Sequence, residues 1–373
     1  MGSVAAFVPP LALPYISVFI SVLAILMIAP VIMMYLTWLE RKVIARIQDR
    51  IGPNRVGPFG LLQPIADGIK MVLKEDIIPA EADKVLHTIA PVVVVALSMT
   101  LFAIIPFGRN MAAADMNIGI LFFMAVSSVE VIPVFVAGWA SRNKFSMIGA
   151  MRAVAQVVSY EVPLAISLVT VVMAVGSLSL TKIVEAQSGW GGMHWHIFTP
   201  WGLLAFILFF ITGTAEVNRT PFDTLEAESE VVAGFHTEYS GMKFALFQMA
   251  EFLSAFAICG MAVSLFLGGW NGPFLPSWIW FFAKTYTLFL VMIWLRGTFP
   301  RLRIDQLMNF AWKFLIPMTL VNIVAAALCL AVTPVISWPI ATVLLIGAWM
   351  FFSTRELSTG GSIPSPSLVT DRG

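Results

Sequence analysis

The sequence predicts an all-α integral membrane protein, built as a polytopic bundle of membrane-spanning helices with long structured loops. Of its 373 residues, 59% are hydrophobic and 12% are charged, whereas about 25% of residues are charged in a soluble domain. Nine apolar runs are candidates for crossing a bilayer, and the basic residues gather in alternate loops. We predict a single membrane domain over residues 1–373, with the bundle at 15–353 and a tail at 354–373.

Six of the nine runs are long, and three are shorter. The long runs cover 15–39, 85–107, 118–140, 153–176, 244–267 and 278–295, and the shorter ones cover 200–215, 314–333 and 338–352. The first run lacks a basic leader and a small-residue cleavage site, which indicates a retained helix rather than a signal peptide. Pro334 and Pro339 surround a tight link before the ninth run.

The basic residues predict the orientation of the helices. If the nine helices alternate, all 22 lysines and arginines except Arg109, Lys182 and Lys284 lie in the loops after odd-numbered helices or in the tail. Loops with this excess face the cytoplasm. We therefore expect the long loops and the tail in the cytoplasm and the N-terminus on the opposite side of the membrane. The net charge of +1 favours no nucleic-acid partner.

The segment between the first two runs predicts an amphipathic interfacial helix. Apolar residues between Gly60 and Val72 recur at helical spacing and alternate with Asp67 and Lys70. One interpretation is a helix that only anchors the chain at the membrane surface. The other is that Asp67 and Lys70 also line a site, since interfacial anchors rarely need an acid on the same turn.

An acidic loop follows the 200–215 run. Its acids outnumber the two basic residues Arg219 and Lys243, and they are Glu216, Asp223, Glu226, Glu228, Glu230 and Glu238. A helix here would place Asp223, Glu226 and Glu230 on one face, as a coupled cluster that holds protons. The alternative is a solvated charged loop, although aromatic and apolar residues within the segment favour a packed one.

Three acids lie within apolar runs, namely Glu130, Glu161 and Glu251. An ionised acid at the centre of a membrane helix costs about 2.5 to 3.5 kcal/mol on translocon scales. Function is therefore the first hypothesis, with these acids taking up and releasing protons, and a structural hydrogen bond between helices is the alternative. We expect no metal ligand among the histidines. Cys259 and Cys329 lie in apolar runs without a CxxC pair or metal-ligand spacing, so we expect no disulfide framework.

Four segments resemble the family of membrane subunit 1, the bacterial H subunit, of proton-pumping NADH:quinone oxidoreductase, respiratory complex I. In order, they are ERKVIARIQDRIGPNRVGPFGLLQPIADGIKMVLKE, IGAMRAVAQVVSYEVP, AEVNRTPFDTLEAESEVVAGFHTEYSGMKFALFQMAEF and RGTFPRLRIDQLM. The resemblance covers residues from about 15 to 333 and implies a family core of eight helices, to which some bacterial members add a ninth, in the bacterial inner membrane with the N-terminus in the periplasm. Thr224, Leu225, Val231 and Ile304 depart from the usual family residues, but none of these changes removes an acid or a base.

The resemblance implies roles for particular residues. It implies a quinone site at Arg41, Arg50, Asp67, Lys70, Arg296 and Arg301. It implies a proton relay at Glu130, Glu161, Glu216, Arg219, Asp223, Glu226, Glu228, Glu230 and Glu251. Quinone would be a substrate, and FMN and iron–sulfur clusters would belong to partner subunits, because the chain carries no motif for either. The expected partners are the hydrophilic arm and the small and antiporter-like membrane subunits, together with lipid.

Three other functions remain compatible with the residues. The chain could be the corresponding subunit of a membrane-bound hydrogenase or formate hydrogenlyase. It could also be an ion transporter that works alone, or a structural anchor for a peripheral arm.

Overall fold

A computed structural model describes residues 13–189, 194–224 and 232–359. These three ranges contain helices and connecting segments, with no strand. The all-α prediction is therefore confirmed.

In the described residues, nine helices match the predicted runs in order and two shorter ones lie between them. They are α1 (Leu13–Ile47), α2 (Gln63–Leu73), α3 (Lys84–Phe102), α4 (Gly119–Ala140), α5 (Lys144–Val175), α6 (Leu180–Ala186), α7 (Pro200–Glu216), α8 (Gly241–Phe266), α9 (Ser277–Thr298), α10 (Ile304–Ala331) and α11 (Pro334–Thr359). Eight of them are long and apolar enough to cross a membrane, and α7 is a shorter apolar helix of 17 residues. Each of the nine predicted runs therefore forms a helix, including the ninth.

Some predicted boundaries are wrong because hydropathy detects neither polar helix ends, as in α5, nor apolar residues that have left the helix, as after α3. Helix α5 begins at Lys144 rather than near 153, where the Asn143 side chain accepts a hydrogen bond from the Phe145 N–H at 3.0 Å and caps the helix. It ends at Gly176, whose φ of 72° is the left-handed conformation that closes many helices. Helix α3 ends at Phe102 rather than 107.

Helix α8 lies at the centre of the bundle. In its most apolar stretch, 89% of residues are buried inside the protein, against 11% for α1. It packs against α3, α7 and α9. Gly213 of α7 allows a close approach, since a Cβ there would lie 2.6 Å from the Ile258 side chain. Because α8 carries Glu251, this packing brings an acid to the middle of the protein.

Helices α10 and α11 close one side of the bundle. Within α10, residues Phe310–Leu315 form a π turn just before Pro317. Pro317 has no N–H group that could donate an α-helical hydrogen bond. The Phe314 ring meets the Trp349 ring of α11 edge-on, with centroids 5.0 Å apart. The predicted ninth helix is thus packed against the family core.

The predicted amphipathic helix is α2, which runs beside α1 and the start of α8. Its apolar residues Ile65, Ile69 and Val72 are exposed in the isolated chain. The segment after α2 is held to α8, because the Lys243 ammonium lies 2.9 Å from an Asp76 carboxylate oxygen. Helix α2 and the ends of α1, α7 and α9 therefore surround the end of the bundle where α8 begins.

Candidate functional site

Arg219 joins two acids from different helices, the buried Glu40 and the partly buried Glu251. It follows α7, and its Nη1 lies 3.3 and 3.0 Å from the two carboxylate oxygens of Glu40 in α1. Its Nε lies 3.0 Å from a carboxylate oxygen of Glu251 in α8. The guanidinium stands 4.1 Å from the centre of the Phe252 ring, an arrangement that favours a cation. The Arg219 guanidinium therefore connects Glu40 of α1 to Glu251 of the central helix α8.

Two more arginines complete this charged group. Arg296, at the end of α9, donates a hydrogen bond to Glu40, which therefore contacts two arginines and is only 6% exposed. Arg301 lies just beyond α9, and its Nη2 is 2.8 Å from a carboxylate oxygen of Asp223. Buried charges need such partners, because isolated ones are strongly unfavourable in a low dielectric.

A cavity extends from this group into the bundle, and we call it the acid cavity. Its polar lining consists of Ser127, Glu130, Glu216, Asn218, Asp223, His236, Gln248, Glu251 and Ser254. It leaves about 100 Å³ open to the centres of water-sized molecules, whereas one water needs about 10 to 15 Å³ by this measure. The acid cavity can therefore hold several waters between its carboxyl groups.

Serine hydroxyls hold the acids within the membrane helices. Glu130 accepts hydrogen bonds from Ser98 at 2.6 Å and from Ser254 at 2.9 Å. Glu161 accepts one from Ser128. These bonds join α3, α4, α5 and α8. The alternative interpretation, in which the acids form structural hydrogen bonds between helices, therefore describes part of their role. It leaves open the proton-holding role, since a hydroxyl can donate to a carboxylate or accept from a carboxylic acid.

Glu216 differs from the other acids in its contacts. Both of its carboxyl oxygens are shielded from solvent, and among the described residues none makes a hydrogen bond of ordinary geometry with them, although Ser127 lies beside the group. The carboxyl groups of Glu161 and Glu130 are close enough to act on it electrostatically. Glu216 is therefore the acid of this region held least by fixed donors.

The predicted quinone residues fall into two groups. Asp67 of α2 pairs with Arg41 at the end of α1 and accepts a hydrogen bond from Gln63 at 3.1 Å. Lys70 is exposed on α2, and Arg50 is exposed with its Nε 2.7 Å from the side-chain oxygen of Gln48. Neither Lys70 nor Arg50 joins the Arg41–Asp67 pair in the described contacts. Arg296 instead pairs with Glu40, and Arg301 pairs with Asp223 of the predicted relay.

The acidic loop is described only in part. Asp223 is buried and paired, which favours the packed interpretation over a solvated loop at that point. Glu226, Glu228 and Glu230 lie outside the described residues. The predicted face that Asp223 would share with Glu226 and Glu230 therefore stays a prediction.

Glu40 is the functional candidate that the sequence analysis missed. It comes just before Arg41 and Lys42 at the end of an apolar run, and a charged cluster there has the pattern of an ordinary membrane boundary. The sequence carries one signal, which is an acid directly before the basic pair. In the structure, α1 continues past this point as a helix to Ile47.

A helical bundle whose cavity is lined by carboxyl groups, with serine hydrogen bonds between its helices and the buried Arg219 at one end, defines a class of protein. It is a polytopic membrane protein equipped to hold and pass protons. The sequence comparisons then identify the family.

The chain belongs to the NADH dehydrogenase family, whose sequence profile matches residues 20–327. It is 54% identical over 310 residues to the H subunit of the NADH-quinone oxidoreductase of Dehalococcoides mccartyi strain CBDB1, covering 83% of this chain and 85% of that one. It is 50% identical over 298 residues to the H 1 subunit of the Geobacter metallireducens enzyme, covering 78% and 89%. It is 43% identical over 360 residues to the H 2 subunit of the Koribacter versatilis enzyme, covering 89% and 99%. The family resemblance seen in the four segments is confirmed.

Proposed function

We propose that the chain is the membrane subunit of a proton-pumping NADH:quinone oxidoreductase that forms one wall of the quinone chamber and couples quinone reduction to proton translocation. The observation that carries this proposal is the contact of Arg219 with both Glu40 and Glu251. That contact links the charged end of the bundle, where the Arg41–Asp67 pair lies, to the acid cavity.

The chain supplies binding and charge, and its partners supply the electrons. FMN and iron–sulfur clusters, which pass electrons from NADH to the quinone, would be carried by the hydrophilic arm. The arm would dock on the end of the bundle formed by α2 and the ends of α1 and α9. The exposed apolar residues Ile65, Ile69 and Val72 of α2 fit burial by lipid or by that arm.

The proposed coupling step is a change in the partners of Arg219. Negative charge that develops on a quinone near Arg41 would attract Arg296 and Arg219 toward the quinone side. Glu251 would then lose its positive partner, and a carboxylate that loses its counter-charge in a low dielectric takes up a proton. Waters in the acid cavity would pass that proton among Glu216, Glu130 and Glu161.

The remaining predicted residues complete this proposal. Lys70 and Arg50 would attract anionic groups at the chamber entrance or on the arm. Glu226, Glu228 and Glu230 would extend the acidic loop beyond Asp223 toward the quinone. The small and antiporter-like membrane subunits would receive the charge that leaves the acid cavity. The chain would lie in the cell inner membrane, with its N-terminus in the periplasm and the basic loops in the cytoplasm.

Purification of the chain from its native membrane in mild detergent tests the proposal. We expect flavin and iron–sulfur subunits to accompany it, with NADH:quinone reductase activity and proton uptake into vesicles. A nickel–iron hydrogenase subunit in their place would support the hydrogenase alternative, and transport by the purified chain alone would support a transporter. If neutralisation of Glu216 and Glu251 left activity and pumping intact, only the interpretation of the chain as a structural anchor would remain.

A further inference from the structure

Gln156 is a buried amide on α5 that the proposed mechanism does not use. It is 0% exposed. Its Nε2 lies 2.8 Å from the carbonyl oxygens of both Ala215 and Phe222 and 3.0 Å from Oδ1 of Asn218. Its Oε1 accepts a hydrogen bond from the Thr224 hydroxyl at 2.7 Å. The side chain thus uses both N–H groups and its oxygen on one short segment.

That segment, residues 215–224, carries three charged residues of the site, Glu216, Arg219 and Asp223. It leaves the end of α7 through turns in which the Arg219 N–H donates to the Thr214 carbonyl at 3.1 Å and the Phe222 N–H donates to the Arg219 carbonyl at 2.9 Å. Arg219 and Asp223 therefore lie between the points that Gln156 holds. Their side chains point to different partners, Arg219 to the two acids and Asp223 to Arg301.

Ion pairs of this kind depend on small displacements. The contacts of Arg219 with Glu40 and Glu251 are both 3.0 Å long, so a shift of the segment by about 1 Å would favour one acid over the other. One turn along α5, the Tyr160 ring packs on Phe222 with centroids 5.5 Å apart. The face of α5 that carries Gln156 and Tyr160 is therefore the rigid surface on which the segment rests.

We propose that Gln156, with Thr224, is a positioning residue for coupling: it fixes segment 215–224 so that Arg219 spans Glu40 and Glu251 while Asp223 meets Arg301. This inference rests on the proposed function. Loss of the Gln156 amide removes no charged residue, but segment 215–224 is then less constrained. Arg219 can therefore shift toward Glu40 or toward Glu251. Quinone reduction then proceeds with fewer protons moved for each electron.

The chain contains a matched control for this residue. Gln187, which follows α6, is also 0% exposed. Its Nε2 lies 3.2, 3.0 and 3.1 Å from the carbonyl oxygens of Ile183, Ser264 and Leu265, and its Oε1 accepts from the Gly268 N–H at 3.0 Å. It performs the same kind of bonding where α8 ends, away from the acid cavity. A purely structural effect of losing a buried amide should appear equally at both sites.

The test compares Gln156→Met and Gln187→Met in the whole complex reconstituted into vesicles. Assembly, NADH:quinone turnover and protons translocated per electron are measured across a range of pH. We expect both variants to lose a similar amount of assembled complex, and only Gln156→Met to lower protons per electron, by about twofold or more, with an altered pH profile of turnover. A wild-type ratio in Gln156→Met, or an equal fall in Gln187→Met, would overturn the inference.

Thr224→Val keeps the test decisive if Gln156→Met does not assemble. Valine preserves the shape of threonine and removes only the hydroxyl that donates to Gln156. We expect normal assembly with a smaller fall in protons per electron, and an unchanged ratio would refute the role of this pair. If the wild-type complex itself does not pump, the proposed function fails; if the wild type pumps and the variants match it, only this inference fails.

Discussion

Glu40 of α1 and Arg219, which follows α7, form a buried ion pair although 179 residues separate them in the chain. Their closest atoms are 3.0 Å apart, and their side chains are 8% and 6% exposed. Arg219 also reaches Glu251, so this pair fixes the point where the charged end of the bundle meets the acid cavity.

Glu40→Gln should impair both assembly and activity. It leaves Arg219 and Arg296 without a shared carboxylate, and removal of one partner from a buried ion pair costs about 3 to 5 kcal/mol. We expect less assembled complex, a lower melting temperature and a low rate of NADH:quinone reduction in purified membranes. Glu185→Gln is the control, because Glu185 is exposed. Wild-type stability of Glu40→Gln would contradict the importance of this pair.

Glu216→Gln should separate assembly from proton transfer. In the part of the chain that the structure describes, the Glu216 carboxyl makes no hydrogen bond of ordinary geometry, so a neutral amide of the same shape should leave assembly unchanged. Loss of a proton-transfer group typically costs a factor of about 100 or more in the step that it serves. Proton uptake into vesicles should therefore fall strongly. Normal pumping by a fully assembled variant would exclude Glu216 from the relay.

His196 should make the segment before α7 sensitive to acid. Burial in the short helix His196–Phe198, before α7, lowers the pKa of His196 from 6.5 to about 4. The neutral ring is favoured in the fold, so its contribution to stability is present above pH 6.5 and is lost as the pH falls toward 4. Between pH 7 and pH 5 the loss should be about 1 to 2 kcal/mol.

Melting temperatures of the purified complex measured at pH 7 and pH 5 check this expectation. His196→Phe should reduce the pH dependence, because phenylalanine cannot bind a proton. His194→Phe provides the control at the exposed neighbouring histidine. The same pH dependence in His196→Phe as in the wild type would assign the acid sensitivity to other groups.

Lys284→Met should destabilise the turn that follows α8. The Lys284 ammonium lies 2.7, 3.0 and 2.7 Å from the carbonyl oxygens of Leu267, Gly269 and Asn271, and 4.2 Å from the centre of the Trp195 ring. Removing it leaves carbonyl groups without their donor, at about 1 to 3 kcal/mol for each group left unsatisfied.

We expect a lower melting temperature for Lys284→Met, with protons per electron unchanged in the complex that still assembles. The structural reason is that this lysine touches the turn after α8 and none of the acids of the cavity. Lys182→Met is the control, since Lys182 is exposed. A loss of coupling at normal stability would instead give Lys284 a part in the relay.

The sequence predicted the membrane class, nine helices in order and the family. Each of these depends on local information, because about 20 apolar residues are enough to mark a helix that can cross lipid. Polar helix ends escaped prediction for the same reason. Helix α5 begins at Lys144, where a cap and tertiary packing, rather than hydropathy, extend it.

The charged residues and the segments that enter the membrane follow from the composition of the chain and the spacing of its residues. Which of these charges meet depends on the tertiary structure. Arg296 and Arg301 resembled quinone-site residues, yet they contact Glu40 and Asp223, and Glu40 was not predicted at all. These pairings depend on how α1, α7, α8 and α9 pack. The low dielectric within that packing makes an unpaired charge costly, so distant residues that the packing brings together form the site.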